Sequence, residues 1–179
     1  MAQSWGRWLI GVGAPVIVAA AGVGGWLLYD NTGERARSRA EIIENCQGLV
    51  DPDAVMGFGM SRVEAGASAE NACVLLREVT FEGEEHMQEF ASLTVETFKD
   101  PQPGESRFEW DLRSVTATVK CADPAKSGGV TFLRATAANV SDGGGRGEPG
   151  FLSGLAREGA LRAAAKAGCE TGLPAVPDI

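Results

Sequence analysis

A long uncharged run near the start of the chain, WLIGVGAPVIVAAAGVGGWLLY, most constrains what this sequence can fold into. It extends from Trp8 to Tyr29, and these 22 residues exceed the roughly 20 helical residues needed to cross the hydrocarbon core of a membrane. Trp5 and Trp26 also lie near its ends, where aromatic rings favour the headgroup level. The pattern predicts an N-terminal transmembrane anchor over residues 1–30.

Three alternatives to an uncleaved anchor stay open at this point. Arg7 followed by an apolar run and the small residues Ala19 to Ala21 also fits a signal peptide. Cleavage after Ala21 would, however, leave the apolar GVGGWLLY at the new N-terminus. A lipoprotein needs a cysteine directly after the run, and the first is Cys46. A buried core helix is the third alternative, and the length and flanks of the run favour the anchor over it.

Two rules predict opposite sides of the membrane for the rest of the chain. One cation, Arg7, precedes the span, whereas Arg35, Arg37 and Arg39 follow it, which favours a cytoplasmic C-terminal part. The four cysteines favour the opposite side, because they are widely spaced, include no Cys-x-x-Cys pair and are typical of disulfides in an oxidising compartment: Cys46, Cys73, Cys121 and Cys169. We give the cysteines more weight and predict an extracytoplasmic domain.

Four cysteines allow three disulfide connectivities. We favour Cys46 with Cys73 and Cys121 with Cys169, because each of these bridges would tie a predicted helix to a predicted strand. The crossed pairings would leave one helix without such a link.

The charge of the chain restricts its partners. The sequence carries 16 Lys and Arg against 24 Asp and Glu, a net charge of −8. Nucleic-acid binding needs clustered cations, so this class is excluded. Arg35, Arg37 and Arg39 are the nearest approach to a basic patch, and anionic lipid headgroups would attract them. The lipid bilayer is therefore one predicted partner. The chain has 12 Arg against 4 Lys, a usage typical of a high-GC bacterial genome, so an envelope protein is the second predicted partner.

The remaining sequence predicts one small α+β domain over residues 46–179, joined to the anchor by a polar stalk over residues 31–45. Asp51 is placed to cap a short helix from Pro52 to Met56. Period-2 alternation predicts four strands in an antiparallel meander: Ala72–Phe81, Phe90–Phe98, Arg113–Cys121 and Val130–Ala138.

The segments between and after these strands complete the predicted fold. Turn residues in EGEEHMQE, KDPQPGES and DPAKSGG separate the strands. The run FLSGLAREGALRAAAKAGC has small apolar residues at helical spacing and predicts a helix that packs closely on a sheet. The expected fold class is thus α+β, with an N-terminal transmembrane helix, a four-stranded antiparallel sheet and flanking helices.

Several cysteine-containing segments carry a resemblance to a protein group. The segments NCQGLVDPDAV, ENACVLLREV, VKCADPAKSGGVTFLRATA and ALRAAAKAGCETGLP resemble actinobacterial envelope proteins of unknown function, which have an N-terminal anchor and a small four-cysteine domain. The resemblance covers most of the chain after Cys46. It implies an extracytoplasmic domain and brings no catalytic residue, cofactor or metal site.

The one candidate catalytic or metal-binding residue is the single histidine, His86. It lies among Glu82, Glu84, Glu85 and Glu89. A histidine with carboxylates can bind a divalent metal or act as an acid-base pair. The spacing matches no known metal motif, and charge runs of this kind usually lie in solvated loops. We therefore expect a non-catalytic interaction or accessory module with no cofactor. The alternative is a small hydrolase or metal-dependent enzyme that uses His86 and the nearby glutamates.

Overall fold

The computed structural model describes residues 33–57, 63–69, 71–100, 104–140, 149–169 and 173. The predicted fold needs two corrections. Within these ranges no helix is long and apolar enough to cross a membrane, and the sheet has six strands rather than four. The predicted span itself, Trp8–Tyr29, lies outside the described residues. The chain divides into two compact units, Met1–Arg37 and Ser38–Ile179, and the second contains the sheet.

The fold is α+β, as the sequence predicts. The described part of helix α1 covers residues 33–45, and the other helices are α2 (Pro52–Met56) and α3 (Pro149–Lys166). The strands are β1 (Val63–Ala69), β2 (Ala72–Phe81), β3 (Glu84–Phe98), β4 (Arg107–Trp110), β5 (Ser114–Lys120) and β6 (Phe132–Asn139). They form one antiparallel sheet in the order β1-β2-β3-β6-β5-β4.

The strand order is not the predicted meander, because β3 pairs with β6 and not with the strand that follows it in the sequence. After β3 the chain passes to the far edge of the sheet and returns through β4, β5 and β6. This crossing covers three strand spacings, or about 15 Å. The eight connecting residues, 99–106, can reach about 26 Å when extended. The connection is therefore long enough to skip two strands.

Several predicted elements are confirmed. Helix α2 covers the expected residues, and the side chain of Asp51 accepts a hydrogen bond from the backbone N–H of Asp53 at 2.8 Å. Strand β2 has the predicted bounds, and β5 and β6 each lie within two residues of theirs. Helix α3 begins two residues before the predicted run and ends at Lys166.

Two strands and half of a third were not predicted. Strands β1 and β4 are missing from the prediction, and the segment read as the acidic loop EGEEHMQE is mostly strand. Glu82 and Gly83 alone form the turn, both with positive φ, at 54° and 86°, as a two-residue hairpin requires. From Glu84 onward the chain pairs with β2, so this end of the hairpin extends beyond the pairing of β3 with β6.

One face of the sheet, here called the inner face, packs against α3. Helix α3 contacts β3, β5 and β6. Larger side chains such as Leu93 also lie on this face, but many of the buried residues are small on both sides: Ala117, Ala135 and Ala137 on the strands, and Ala156, Gly159, Ala160 and Ala164 on the helix. Small side chains let a helix approach a sheet closely, so the close packing predicted for this alanine-rich helix is observed.

The two disulfides join Cys46 to Cys73 and Cys121 to Cys169, which is the pairing favoured from the sequence. The first ties the end of α1, rather than α2, to strand β2. In the second, Gly168 has φ +70° and turns the chain directly after α3, which brings Cys169 to Cys121 at the end of β5. The two loops have sequence separations of 27 and 48 residues, and closing them contributes about 3.5 to 4 kcal/mol each in the chain-entropy model.

Two glycines in α3 give a matched test of the packing between helix and sheet. A Cβ on Gly159 would lie 2.7 Å from Cδ2 and 3.0 Å from Cδ1 of Leu93, which is fully buried, whereas a Cβ on Gly154 would meet nothing within 4 Å. We expect Gly159→Ala to lower the free energy of unfolding by about 1 kcal/mol, because overpacking outweighs the gain in helix propensity. Gly154→Ala should raise it by about 0.5 to 1 kcal/mol. Urea denaturation measures both, and equal effects would contradict the observed contact.

The disulfide pairing can be tested on protein from intact cells whose free thiols are alkylated before lysis. Trypsin places the four cysteines on separate peptides, residues 40–62, 63–77, 121–126 and 167–179. Without reduction, we expect mass spectrometry to find 40–62 joined to 63–77, and 121–126 joined to 167–179. Four alkylated cysteines would contradict both the pairing in the cell and an oxidising location.

Candidate functional site

The candidate site is the second face of the sheet, here called the outer face, which points away from α3. Alternation along β3, β6, β5 and β4 defines it, because neighbours in the strand pairing point to the same side. Its side chains are mostly polar, with three apolar exceptions, Phe98, Phe132 and Ala138. The polar ones are Ser92, Thr94 and Glu96 on β3, Arg134 and Thr136 on β6, Ser114, Thr116, Thr118 and Lys120 on β5, and Arg107 and Glu109 on β4.

Three threonines lie side by side across the middle of the outer face. Thr94, Thr136 and Thr116 are direct partners in the registers of β3, β6 and β5. The hydroxyl oxygens of Thr116 and Thr136 are 3.1 Å apart and share a hydrogen bond. Threonine suits this position because its branched side chain favours strands and its hydroxyl tolerates water. This row is fully accounted for by sheet formation.

The neighbouring row contains charge. Glu96, Arg134, Thr118 and Arg107 follow one another across the four strands. Nε of Arg107 donates to Oε1 of Glu109 at 3.0 Å. Nη1 of Arg134 lies 3.8 Å from Oε2 of Glu96, which is beyond hydrogen-bond distance. The guanidinium carbon of Arg134 lies 5.0 Å from the centre of the Phe98 ring, a distance at which a cation and an aromatic face attract.

Two residues that are neighbours in this row each have a side-chain atom without a hydrogen-bond partner among the described residues. Oγ1 of Thr118 and Nε of Arg134 are both shielded from solvent and unpaired, and the two residues are direct partners in the β5–β6 register. Thr118 is 5% exposed, so water cannot readily supply the missing bond. A shielded polar group without a partner costs about 1 to 3 kcal/mol. Nε of Arg77 is a third such atom, but Arg77 lies on β2, away from this row.

The alternation of polar and apolar residues in β5 predicts that Thr118 points outward. Nothing in the sequence distinguishes it from the other outward residues of the strand as a binding residue. The sequence does not indicate Arg134 as a candidate either. The one sequence signal for Arg134 is a charge on the outward side of a predicted strand. Its neighbours follow only from the pairing of β6 with β3 and β5.

The structure places His86 on the exposed hairpin of β2 and β3. Its ring and the Glu84 carboxylate are 3.8 Å apart between Nε2 and Oε2, and more than half of the histidine side chain is exposed. His86 is opposite Val79 in the strand register, so the other glutamates of the hairpin do not converge on it. In the described ranges no group of three His, Cys, Asp or Glu residues is arranged to hold a metal ion.

A small groove lies between α2 and α3. It is lined by Val50, Val55, Phe151 and Leu155, among others, and has a volume of about 60 Å³. Binding pockets for small molecules usually measure about 300 to 1,000 Å³. This groove has room for little more than a few waters, so it is not a candidate ligand site.

The four predicted site cysteines, Cys46, Cys73, Cys121 and Cys169, are all in disulfides and buried. Their role in the structure is to link helices and strands. None is a free thiol, and the thiolate is the form that reacts as a nucleophile or binds metal.

Comparisons with family models, with curated proteins and with solved structures give no match for this chain. The resemblance to actinobacterial envelope proteins therefore stays a prediction from the sequence.

The unpaired hydroxyl of Thr118 predicts an unusual stability result. We expect Thr118→Val to raise the free energy of unfolding by about 1 kcal/mol, because valine has nearly the same shape and removes a shielded group without a partner. The matched control on the same strand is Thr116→Val, which removes the hydrogen bond to Thr136. That variant should lose about 0.5 kcal/mol.

Chemical denaturation of the two variants beside the wild-type protein measures this difference. A loss of stability in Thr118→Val as large as that in Thr116→Val would show that the Thr118 hydroxyl has a partner in solution.

Proposed function

We propose that this chain is a non-catalytic interaction module of the cell envelope, held at the extracytoplasmic side of a membrane, with the outer face of the sheet as its binding surface. The observation that carries the proposal is the pair of shielded, unpaired polar groups on that face, Oγ1 of Thr118 and Nε of Arg134. Groups of this kind are rare in folded proteins, and each calls for an explanation such as an absent ligand or water.

The extracytoplasmic location is supported by the disulfides. Both bridges lie in the sheet unit and join segments far apart in the sequence. Structural disulfides of this kind persist in oxidising compartments and are rare in the cytosol. Attachment to the membrane is inferred from the uncharged run Trp8–Tyr29 of the sequence, which lies outside the described residues.

A protein partner from the envelope fits the chemistry of the outer face. The face combines hydroxyls with two arginines and two glutamates, so its formal charge is balanced apart from Lys120 at one end. Mixed polar groups of both signs are typical of the polar part of protein interfaces, where hydrogen bonds and charge pairs set specificity. The hydrolase alternative would need groups that converge on His86, whose side chain is mostly exposed on the hairpin.

Site-specific photo-crosslinking in intact cells tests which face binds. A photoreactive amino acid is introduced into the full chain at Thr94 or Glu96, both exposed on the outer face, and as controls at Arg157 or Ala165, both exposed on α3. We expect discrete covalent adducts from the two outer-face positions and none from the helix positions.

Mass spectrometry of the adducts identifies what lies on the outer face. Adducts from the controls at equal yield, or none from the outer face, would contradict the proposed binding surface. An adduct of lipid rather than protein at Thr94 and Glu96 would contradict the proposed class of partner.

A further inference from the structure

The row that contains Arg134 and Thr118 supplies hydrogen-bond donors without a matching acceptor. The guanidinium of Arg134 carries five N–H groups and the hydroxyl of Thr118 one O–H. The two residues are direct partners across β5 and β6, and Nε of the one and Oγ1 of the other have no partner among the described residues. The hydroxyl oxygen can also accept, but it is not paired with Nε, so what this position lacks is an acceptor that both groups can reach.

The orientation of Arg134 is set by its neighbours. Phe98 lies 5.0 Å from the guanidinium carbon and occupies one flat side of the group. Glu96 approaches Nη1, at 3.8 Å, and more than half of its side chain is exposed. Exposed ion pairs of this length contribute little. The edge of the guanidinium that contains Nε thus has no acceptor among the described residues, and Nε is shielded from solvent.

A carboxylate matches this edge. It is planar, and its two oxygens can accept two parallel N–H bonds from one side of a guanidinium. The hydroxyl of Thr118 can donate a third bond to the same group, because a hydroxyl rotates freely about its C–O bond. Phosphate is a poorer match, because its four oxygens need more donors than the two N–H groups and one hydroxyl available here.

Arg134 also provides the route from solvent. Its side chain is 38% exposed, whereas Thr118 is 5% exposed. A long arginine side chain can shift at modest cost when its partners are weak. An approaching carboxylate would therefore meet the guanidinium first, and a shift of the arginine side chain would let the Thr118 hydroxyl join the hydrogen bonding.

We propose that Arg134 and Thr118 bind a carboxylate group of the partner, such as a Glu or Asp side chain or a C-terminus. This inference rests on the proposed function and names the chemical group that the outer face recognises. It also accounts for the two unpaired atoms, because the bound carboxylate would satisfy both.

NMR on the full chain, labelled with ¹⁵N and held in a nonionic detergent, tests the proposal. The probes are sodium acetate and sodium phosphate, each compared with sodium chloride at matched ionic strength. The Nε–H signal of Arg134 and the amide signal of Thr118 report binding. We expect a saturable shift of both signals with acetate, weaker binding of phosphate, and no saturable shift with chloride.

Three variants separate a binding role from a structural one. Thr118→Val should weaken acetate binding about three- to tenfold, as the loss of one hydrogen bond implies, although the same variant is expected to be more stable. Arg134→Lys keeps the charge but has no paired N–H groups, so the shift of the Thr118 amide should be lost. Thr116→Val, two residues along the same strand, should bind acetate within about twofold of wild type.

The proposal is overturned if wild type shows no saturable shift with acetate, if phosphate binds more tightly, or if Thr118→Val binds acetate as well as wild type does. The crosslinking experiment separates this failure from that of the proposed function. Adducts at Thr94 and Glu96 together with a negative acetate titration would retain the binding surface and remove the carboxylate as its ligand.

Discussion

The pairing of β3 with β6 is the constraint on which the rest of this structure depends. It joins two three-stranded halves, β1-β2-β3 and β6-β5-β4, into one sheet through eight residue pairs from Ala91–Asn139 to Phe98–Phe132. On the inner side the pairing brings together strands that α3 covers. On the outer side it sets Glu96 and Phe98 beside Arg134. A shift of one residue would exchange the two faces, so the core and the candidate site are specified together.

The two disulfides stabilise the halves of the sheet separately. Cys46–Cys73 links the end of α1 to β2 in one half, and Cys121–Cys169 links the ends of β5 and α3 in the other. Neither bridge crosses the β3–β6 pairing. The junction between the halves therefore depends on strand hydrogen bonds and on the packing of α3, in which Gly159 lies against Leu93. Close packing at this position fixes the helix on the inner side of the sheet, so the side chains of the outer face take no part in holding α3.

The sequence predicts the elements whose faces differ in polarity. Strand β5 and helix α3 have clear periodicity, because one side of each is buried. Strand β1, with the sequence VEAGASA, has small side chains and no such contrast, and β4 has four residues. The first half of β3 was read as a loop because most of its residues between Glu84 and Glu89 are exposed, which removes the period-2 signal.

The strand order and the site were beyond sequence reasoning for a different reason. Adjacent strands in a chain usually pair, and nothing in KDPQPGES shows that the chain skips two strands at this point. Glu96, Arg134 and Thr118 become neighbours through pairings between segments 38 and 16 residues apart. The pairing of the cysteines was predictable because it required only that helices meet strands. The candidate site requires the register as well.

The stability cost of the unpaired hydroxyl at position 118 indicates that threonine is present there for a functional reason. Valine would fill the same place in β5 with equal strand preference and without a shielded hydroxyl. Thr116, two residues away, differs because its hydroxyl has a partner in Thr136. The unpaired hydroxyl lowers the free energy of unfolding by about 1 kcal/mol, and one substitution could remove this cost. Such a cost is expected at positions where a protein gives up stability for binding. Nε of the neighbouring Arg134 is unpaired as well, so one acceptor within reach of both groups would satisfy the two donors, and the charge of the guanidinium favours an anionic acceptor.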